Sequence, residues 1–308
     1  MANDALHVLT LERAVRSSEL PPSLAGLLRR QWSFALLGAV LVDLPYFEGF
    51  LGRVVDDLLG REDRGCPWGD RLHRQGAVAL AEALLLEAQQ SEAHDALVAL
   101  ALGHLTHVRL DVATHPLVNR LVAASPATMR PGALHRTIET VQVELWHRRI
   151  HGGRLFGSGH AHGLLAQPAE KLGQGPVGEA VARAFRRVFG LAPTPGLWSQ
   201  WSFGLKLYAL AVAGPAGALH VRASALRDGE RWVRARGIDF DATVEDAIAG
   251  MTTDMIDAFA IAQSIREHPE RFRARFPEQD LDCLEVAPAR PLELRRATKA
   301  KAAQATYL

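Results

Sequence analysis

From Ala96 to Pro116 the chain reads as a helix that is apolar on almost every side, and among its few polar residues His107, Asp111 and His115 recur every fourth residue. A helix without a polar face has to be enclosed by other elements. The sequence therefore asks for a fold with a central helix and neighbours packed around it. An imidazole or carboxylate placed in such a setting costs several kcal/mol, of order 2–7, unless something pairs with it. Something has to compensate these three residues.

The remainder of the chain supports an all-α fold, since apolar residues recur with the helical period and alternating strand patterns are scarce. Asp4 can cap a first helix that carries His7, with Leu11, Ala14 and Val15 on the same face. A second helix is expected from Ser23 to Asp43, stopped by Pro45. A third is expected from about Arg71 to Glu87, with His73, Ala77, Leu80 and Leu84 on one face. Ser91 is placed to cap the His107 helix, and Pro116 is expected to end it. Another helix from about Ala133 to Ile150 carries His135 and Glu139.

Residues 152–175 are glycine-rich and read as an irregular loop, of a length that in compact domains is often functional. Helical patterns follow in "PVGEAVARAFRRVF", in "LWSQWSFGLKLYALAVAG" and from Thr243 to about Glu267. Residues 1–285 are expected to form one helical domain, and the basic, weakly patterned residues 286–308 a loose tail.

The 35 Lys and Arg residues nearly balance 34 Asp and Glu, so net charge gives no case for nucleic acid as a general partner. Cys66 and Cys283 are too few for a disulfide framework or a thiolate metal site. The N-terminal stretch lacks the basic and apolar regions of a secretory signal. No stretch of about twenty apolar residues suggests a bilayer span, and a cytoplasmic setting is expected. The 13 histidines, several within apolar helices, are the compositional feature that stands out.

Residues four apart on a helix are separated by about 40° and about 6 Å. His107 and Asp111 can therefore grip one ion together, whereas a straight helix cannot bring His115 onto the same one. His135 and Glu139 repeat the spacing, and with His115 they would complete a second three-ligand site. His73 and Asp43 would supply the remaining ligands of the first site. His7 is left for a third ion shared through Asp111. Histidine with carboxylate and no thiolate suits zinc in an open site, with manganese or iron as alternatives. His104 is assigned a packing or supporting role. His147 and His151 read as exposed, and His160 and His162 as residues of a solvated loop. Asp254 and Asp257 read as surface residues, or else as carboxylates that orient histidines.

The ordered set His7, Asp43, His73, His107-x3-Asp111-x3-His115-Pro and His135-x3-Glu139 resembles the zinc-dependent phospholipase C family. That bacterial all-α superfamily also includes the fungal single-strand nucleases. The resemblance covers about residues 1–150, and its most specific parts are "THVRLDVATHP" and "HRTIE". It implies up to three zinc ions in a cleft between helices. His73, His107 and Asp111 would hold one, with Asp43 as ligand and candidate general base. His115, His135 and Glu139 would hold another, and His7 and Asp111 a third. The secreted members add a mature N-terminal tryptophan to that third site; no tryptophan lies near His7 here, so two or three ions are expected.

The implied reaction is metal-assisted hydrolysis of a phosphate ester, small or phospholipid-like, by an activated water that Asp43 positions or deprotonates. A lipid substrate would call for an apolar rim, for which "GGRLFGSG" and "LWSQWSFG" are candidates. A nuclease or phosphomonoesterase on the same site is the nearest alternative. A non-catalytic helical protein with structural zinc is another.

Overall fold

The computed structural model describes residues 4–52, 55, 65–124, 131–158, 163, 165, 175–214, 229–231, 233 and 237–282. Helices α1 (Asp4–Val15), α2 (Pro22–Arg30) and α3 (Trp32–Val40) are followed by a 3-10 turn at Leu44–Phe47. Then come α4 (Pro67–Arg74), α5 (Ala77–Ala88), α6 (His94–Ala123) and α7 (Pro131–His151). The second half contributes α8 (Gly175–Phe189), α9 (Pro195–Ala213), α10 (Phe240–Ala262) and α11 (Pro269–Arg275). The fold is an all-α bundle, with no strand among the described residues.

The apolar helix is the axis of the molecule. α6 packs against α3, α5 and α10, and also against α1 and α7. It is long and apolar enough to cross a bilayer, which corrects the sequence reading. However, 83% of its most apolar window is buried inside the fold, where the side chains meet neighbouring helices of the same chain. α3 crosses it at a pair of glycines. A Cβ on Gly38 would fall 2.1 Å from the Leu100 oxygen, and one on Gly103 would fall 2.0 Å from the Ala35 oxygen. Only glycine lets the two backbones approach this closely.

Three helix boundaries differ from expectation, each for a physical reason. The expected helix 23–43 is two helices broken at Gln31, and it ends at Val40 rather than Asp43. α2 buries only Leu24, Ala25, Leu27 and Leu28, whereas α3 is buried continuously from Ala35 to Val40. One straight axis cannot both lie on the surface and enter the core. The expected helix 71–87 is likewise divided, with Gly76 at φ +76 between α4 and α5. A left-handed residue breaks the helical ladder and turns the chain, which leaves His73 in the last turn of α4.

Pro116 does not end α6, which continues to Ala123. Proline removes one hydrogen bond and costs about 3 kcal/mol in a helix interior. Beyond it, Val118 and Leu121 are buried against Ile138 and Val233, so tertiary packing holds the last turns. Ser91 lies before α6, and its hydroxyl accepts from the Ala93 amide. Most of the expected loop 152–175, including His160 and His162, and residues 283–308, which include the whole expected tail 286–308, lie outside the described residues.

Candidate metal centre

The eight residues singled out from the sequence come from α1, the start of the 3-10 turn after α3, α4, α6 and α7, and the fold gathers all of them. Asp111 is the hub. Its carboxylate lies 3.2 Å from His7 Nε2, 2.9 Å from His107 Nε2, and 3.7 Å from both His73 Nε2 and His115 Nε2. His73 Nε2 is 3.2 Å from Asp43 Oδ1. Glu139 Oε1 lies 3.0 Å from His135 Nε2 and 3.4 Å from His115 Nε2. Of the eight, only His135 is appreciably exposed, with 27% of its side chain accessible.

Among the described residues, three sets of side chains each place ligand atoms within 4.8 Å of one another: His73 with His107 and Asp111, His115 with His135 and Glu139, and His7 with Asp43 and His107. The first two sets match the spacing argument. The third differs in detail, because it joins His7 to Asp43 and His107, although His7 also reaches Asp111. His7 and His107 stack with ring centroids 3.7 Å apart.

The histidines are oriented by main-chain carbonyls. His107 Nδ1 donates to the Ala39 oxygen (2.8 Å), His73 Nδ1 to Gly69 (2.9 Å) and His115 Nδ1 to Leu281 (2.5 Å). A carbonyl only accepts, so each Nδ1 carries its proton. In the neutral ring Nε2 then presents a lone pair to the carboxylates. Outer bonds of this kind fix the tautomer and direction of metal-binding histidines. The Gly38–Gly103 crossing is what brings Ala39 within reach of His107.

A lone pair facing a carboxylate oxygen at about 3 Å is repulsive unless a positive charge, a metal ion or a proton on Nε2, lies between them. Hydrogen bonding does not resolve the conflict at the centre. Both oxygens of Asp111, both ring nitrogens of His7 and Nε2 of His107 are buried without a hydrogen-bond partner among the described residues. Their atoms are close without forming hydrogen bonds to one another. The donor set therefore fits a hard-to-borderline divalent ion of the zinc, manganese or iron kind.

In the absence of such an ion the charges respond strongly. Burial would raise the Asp111 carboxyl, but the surrounding His107, His115 and His7 hold it well below the ordinary range. Burial likewise opposes ionisation of Asp43 and Glu139, and bonded histidines outweigh it in both. His115 is penalised by burial yet pushed up to about 10 by Asp111 and Glu139. His7 goes the other way, lowered by burial and by neighbouring His107.

Asp4 was legible only as a helix cap, and that reading is corrected. It is the first residue of α1, fully buried, and neither carboxyl oxygen has a hydrogen-bond partner. Burial raises its carboxyl, and Asp43 raises it further, so it adds a fourth buried carboxyl to the electrostatics of the centre. Its three-residue offset from His7 on one helix face was the available signal.

The other candidates separate cleanly. His104 Nε2 donates to the Ala77 oxygen at 2.7 Å and joins none of the three sets, in keeping with a packing role. His147 is buried and not exposed as expected, with Nδ1 donating to Gly153. His151 is exposed. Asp254 is buried against Arg109 and Arg275, and Asp257 pairs with Arg275, so both meet arginines rather than histidines. In the two candidate rim stretches, Leu155, Phe156, Trp198 and Trp201 are buried, and Phe203 is 61% exposed.

The fold and site together define a class: an all-α bundle built around buried, main-chain-oriented histidines that share carboxylates. No family model, curated protein or solved structure matches the chain in comparison.

Proposed function

We propose that this protein is a metal-dependent, phospholipase C-like hydrolase of phosphate esters, with zinc as the preferred ion. The observation that carries the reading is the set of buried atoms on His7, His107 and Asp111 that have no hydrogen-bond partner among the described residues, each residue belonging to a group whose ligand atoms lie within 4.8 Å of one another. Two adjacent sets of histidine and carboxylate without thiolate favour open, hydrolytic sites over a closed structural one. Divalent ions bound there would polarise the ester and make water nucleophilic near neutral pH.

The residues of the chain would then divide the work. His73, His107 and Asp111 would hold one ion, and His115, His135 and Glu139 another. Asp43, kept ionised by His73 and His107, would accept the proton of the attacking water. His135, the most open member, marks the side from which substrate would enter. Phe203, Leu210 and Leu51 are exposed apolar side chains on and beside the contact of α9 with the 3-10 turn that follows Asp43. They favour a substrate with an apolar portion over a polynucleotide.

The test is metal content per chain by plasma mass spectrometry, on protein purified without chelator or histidine tag, beside a His107→Ala variant. Two or three zinc per chain, falling by at least one in the variant, is the expected result. Hydrolysis of bis-p-nitrophenyl phosphate should accompany it and disappear on chelation. Zinc without hydrolysis, with unfolding on chelation, would favour the structural reading. A wild-type protein that takes up no metal would overturn both.

A further inference from the structure

One of the three carbonyls that orient the histidines comes from far outside the region of the sequence motifs. His115 Nδ1 donates to Leu281, 166 residues away, and the Leu281 amide in turn donates to the His73 main-chain oxygen at 2.8 Å. A single residue thus touches a histidine of each proposed ion site through its two peptide groups. The rings of His73 and His115 lie 6.4 Å apart, nearly parallel.

The segment around Leu281 is anchored on all sides. Glu278 accepts from the amides of Val78 and Ala79 at the start of α5. The Asp282 oxygen accepts from Asn119 Nδ2 at 2.8 Å, and the Asp282 carboxylate pairs with Arg74. The Leu281 side chain is fully buried. These anchors fall on α4, α5 and α6, the elements that carry or follow His73 and His115.

We propose that residues 278–282 form a positioning strap that sets the spacing and orientation of His73 and His115, so that docking of the strap and metal binding are thermodynamically coupled. This rests on the metal reading above. Because the coupling is reciprocal, an ion that favours the docked strap must be weakened by the same factor when the strap is loosened. Substitution of groups that orient metal-binding histidines typically costs about 10- to 100-fold in affinity, which sets the expected size.

The full chain carrying Asn119→Ala and Glu278→Ala removes two anchors and no proposed ligand. In this variant we expect faster hydrogen exchange at the Leu281 amide. Zinc affinity, read by competition with a chromophoric chelator, should fall at least tenfold. In the wild type, zinc should slow exchange at the same amide. Faster exchange with unchanged zinc affinity would overturn the proposal. If the double variant leaves exchange unaltered, Leu281→Pro removes the amide itself and zinc affinity alone decides: a fall of at least tenfold supports the strap, and an unchanged affinity overturns it. A wild type that binds no zinc defeats the metal reading separately. The strap is then judged by the His115 Nδ1 proton in NMR spectra, which should exchange slowly in the wild type and quickly in the variant. An unchanged proton would sink it.

Discussion

Asp111 meets four imidazoles, and nothing about an aspartate four residues after a histidine requires that. The neighbouring carboxylates divide the remaining tasks. Asp43 follows the buried end of α3, and its place beside His73 makes it the group to test for proton transfer. Asp43→Asn keeps the shape of the side chain but removes its basicity. Proton acceptors of this kind contribute typically 10²- to 10⁴-fold. We expect phosphodiester hydrolysis to fall by about 100-fold or more, while the ion on His115, His135 and Glu139 is retained. Activity within a few-fold of wild type, assayed with metal content measured in parallel, would remove Asp43 from the reaction. At this scale the sequence was informative, because fourfold spacing of polar residues on an apolar helix face leaves few packing explanations. Asp4 escaped notice since an acidic residue at a helix start has an ordinary meaning, and only its burial shows that the ordinary meaning does not hold. The contribution of Leu281 had no signal at all, because it is made by peptide groups that every residue possesses.

Among the elements, α3 and α6 have the most stringent relation. The Gly38–Gly103 crossing sets how far the Ala39 carbonyl lies from His107, so it acts on the candidate metal centre through packing. A methyl group at Gly103 would meet the Ala35 oxygen at 2.0 Å, and the helices would have to separate. Overpacking of this kind costs about 1–3 kcal/mol. Gly103→Ala should lower stability by that amount in urea unfolding, and the residual folded protein should bind zinc more weakly. Unchanged zinc affinity in the folded fraction would show that the helix spacing has more tolerance than the contact distances suggest. The helices themselves were legible from periodicity, whereas their breaks were less so. Gly76 lay in plain view within an expected helix, and its left-handed conformation is what divides it. Gln31 gave no such cue. The break there follows from a core that admits α3 but not α2, which is a property of the assembled bundle.

For the molecule as a whole, the buried charges make the stability of metal-free protein decline on both the acid and the alkaline side, whereas a contribution from zinc should only grow with pH. In metal-free protein the raised His115 stabilises the fold fully below its unfolded value of about 6.5. That contribution is lost as pH rises through about 10. Asp43, Asp111 and Glu139, all lowered, stabilise above the ordinary carboxylate range of about 4 and lose that contribution as pH falls below it. His104, pulled down to about 4 by burial, steepens the decline on the acid side of 6.5. Zinc instead needs deprotonated imidazoles, so its added stability should grow with pH. Thermal unfolding with zinc and with chelator, compared from pH 5.5 to 9, should show a gap that widens as pH rises. A constant gap would mean that the ion does not displace protons from these histidines.

Helix α6 also has an opposite face. Arg109, about 200° around the axis from His107, is held by Asp254 of α10 through two bonds of 2.6 and 2.8 Å. Gly250 leaves the room it occupies, since a Cβ there would lie 3.1 Å from its Nε. The central helix is thus keyed like a shaft, by an arginine on one flank and by the Ala39 carbonyl on the other. Neither sliding along its axis nor turning about it is free. The angular setting of three histidine- and aspartate-bearing turns is thereby delegated to residues that never meet an ion, and the tolerance of the centre is that of the clamp around it.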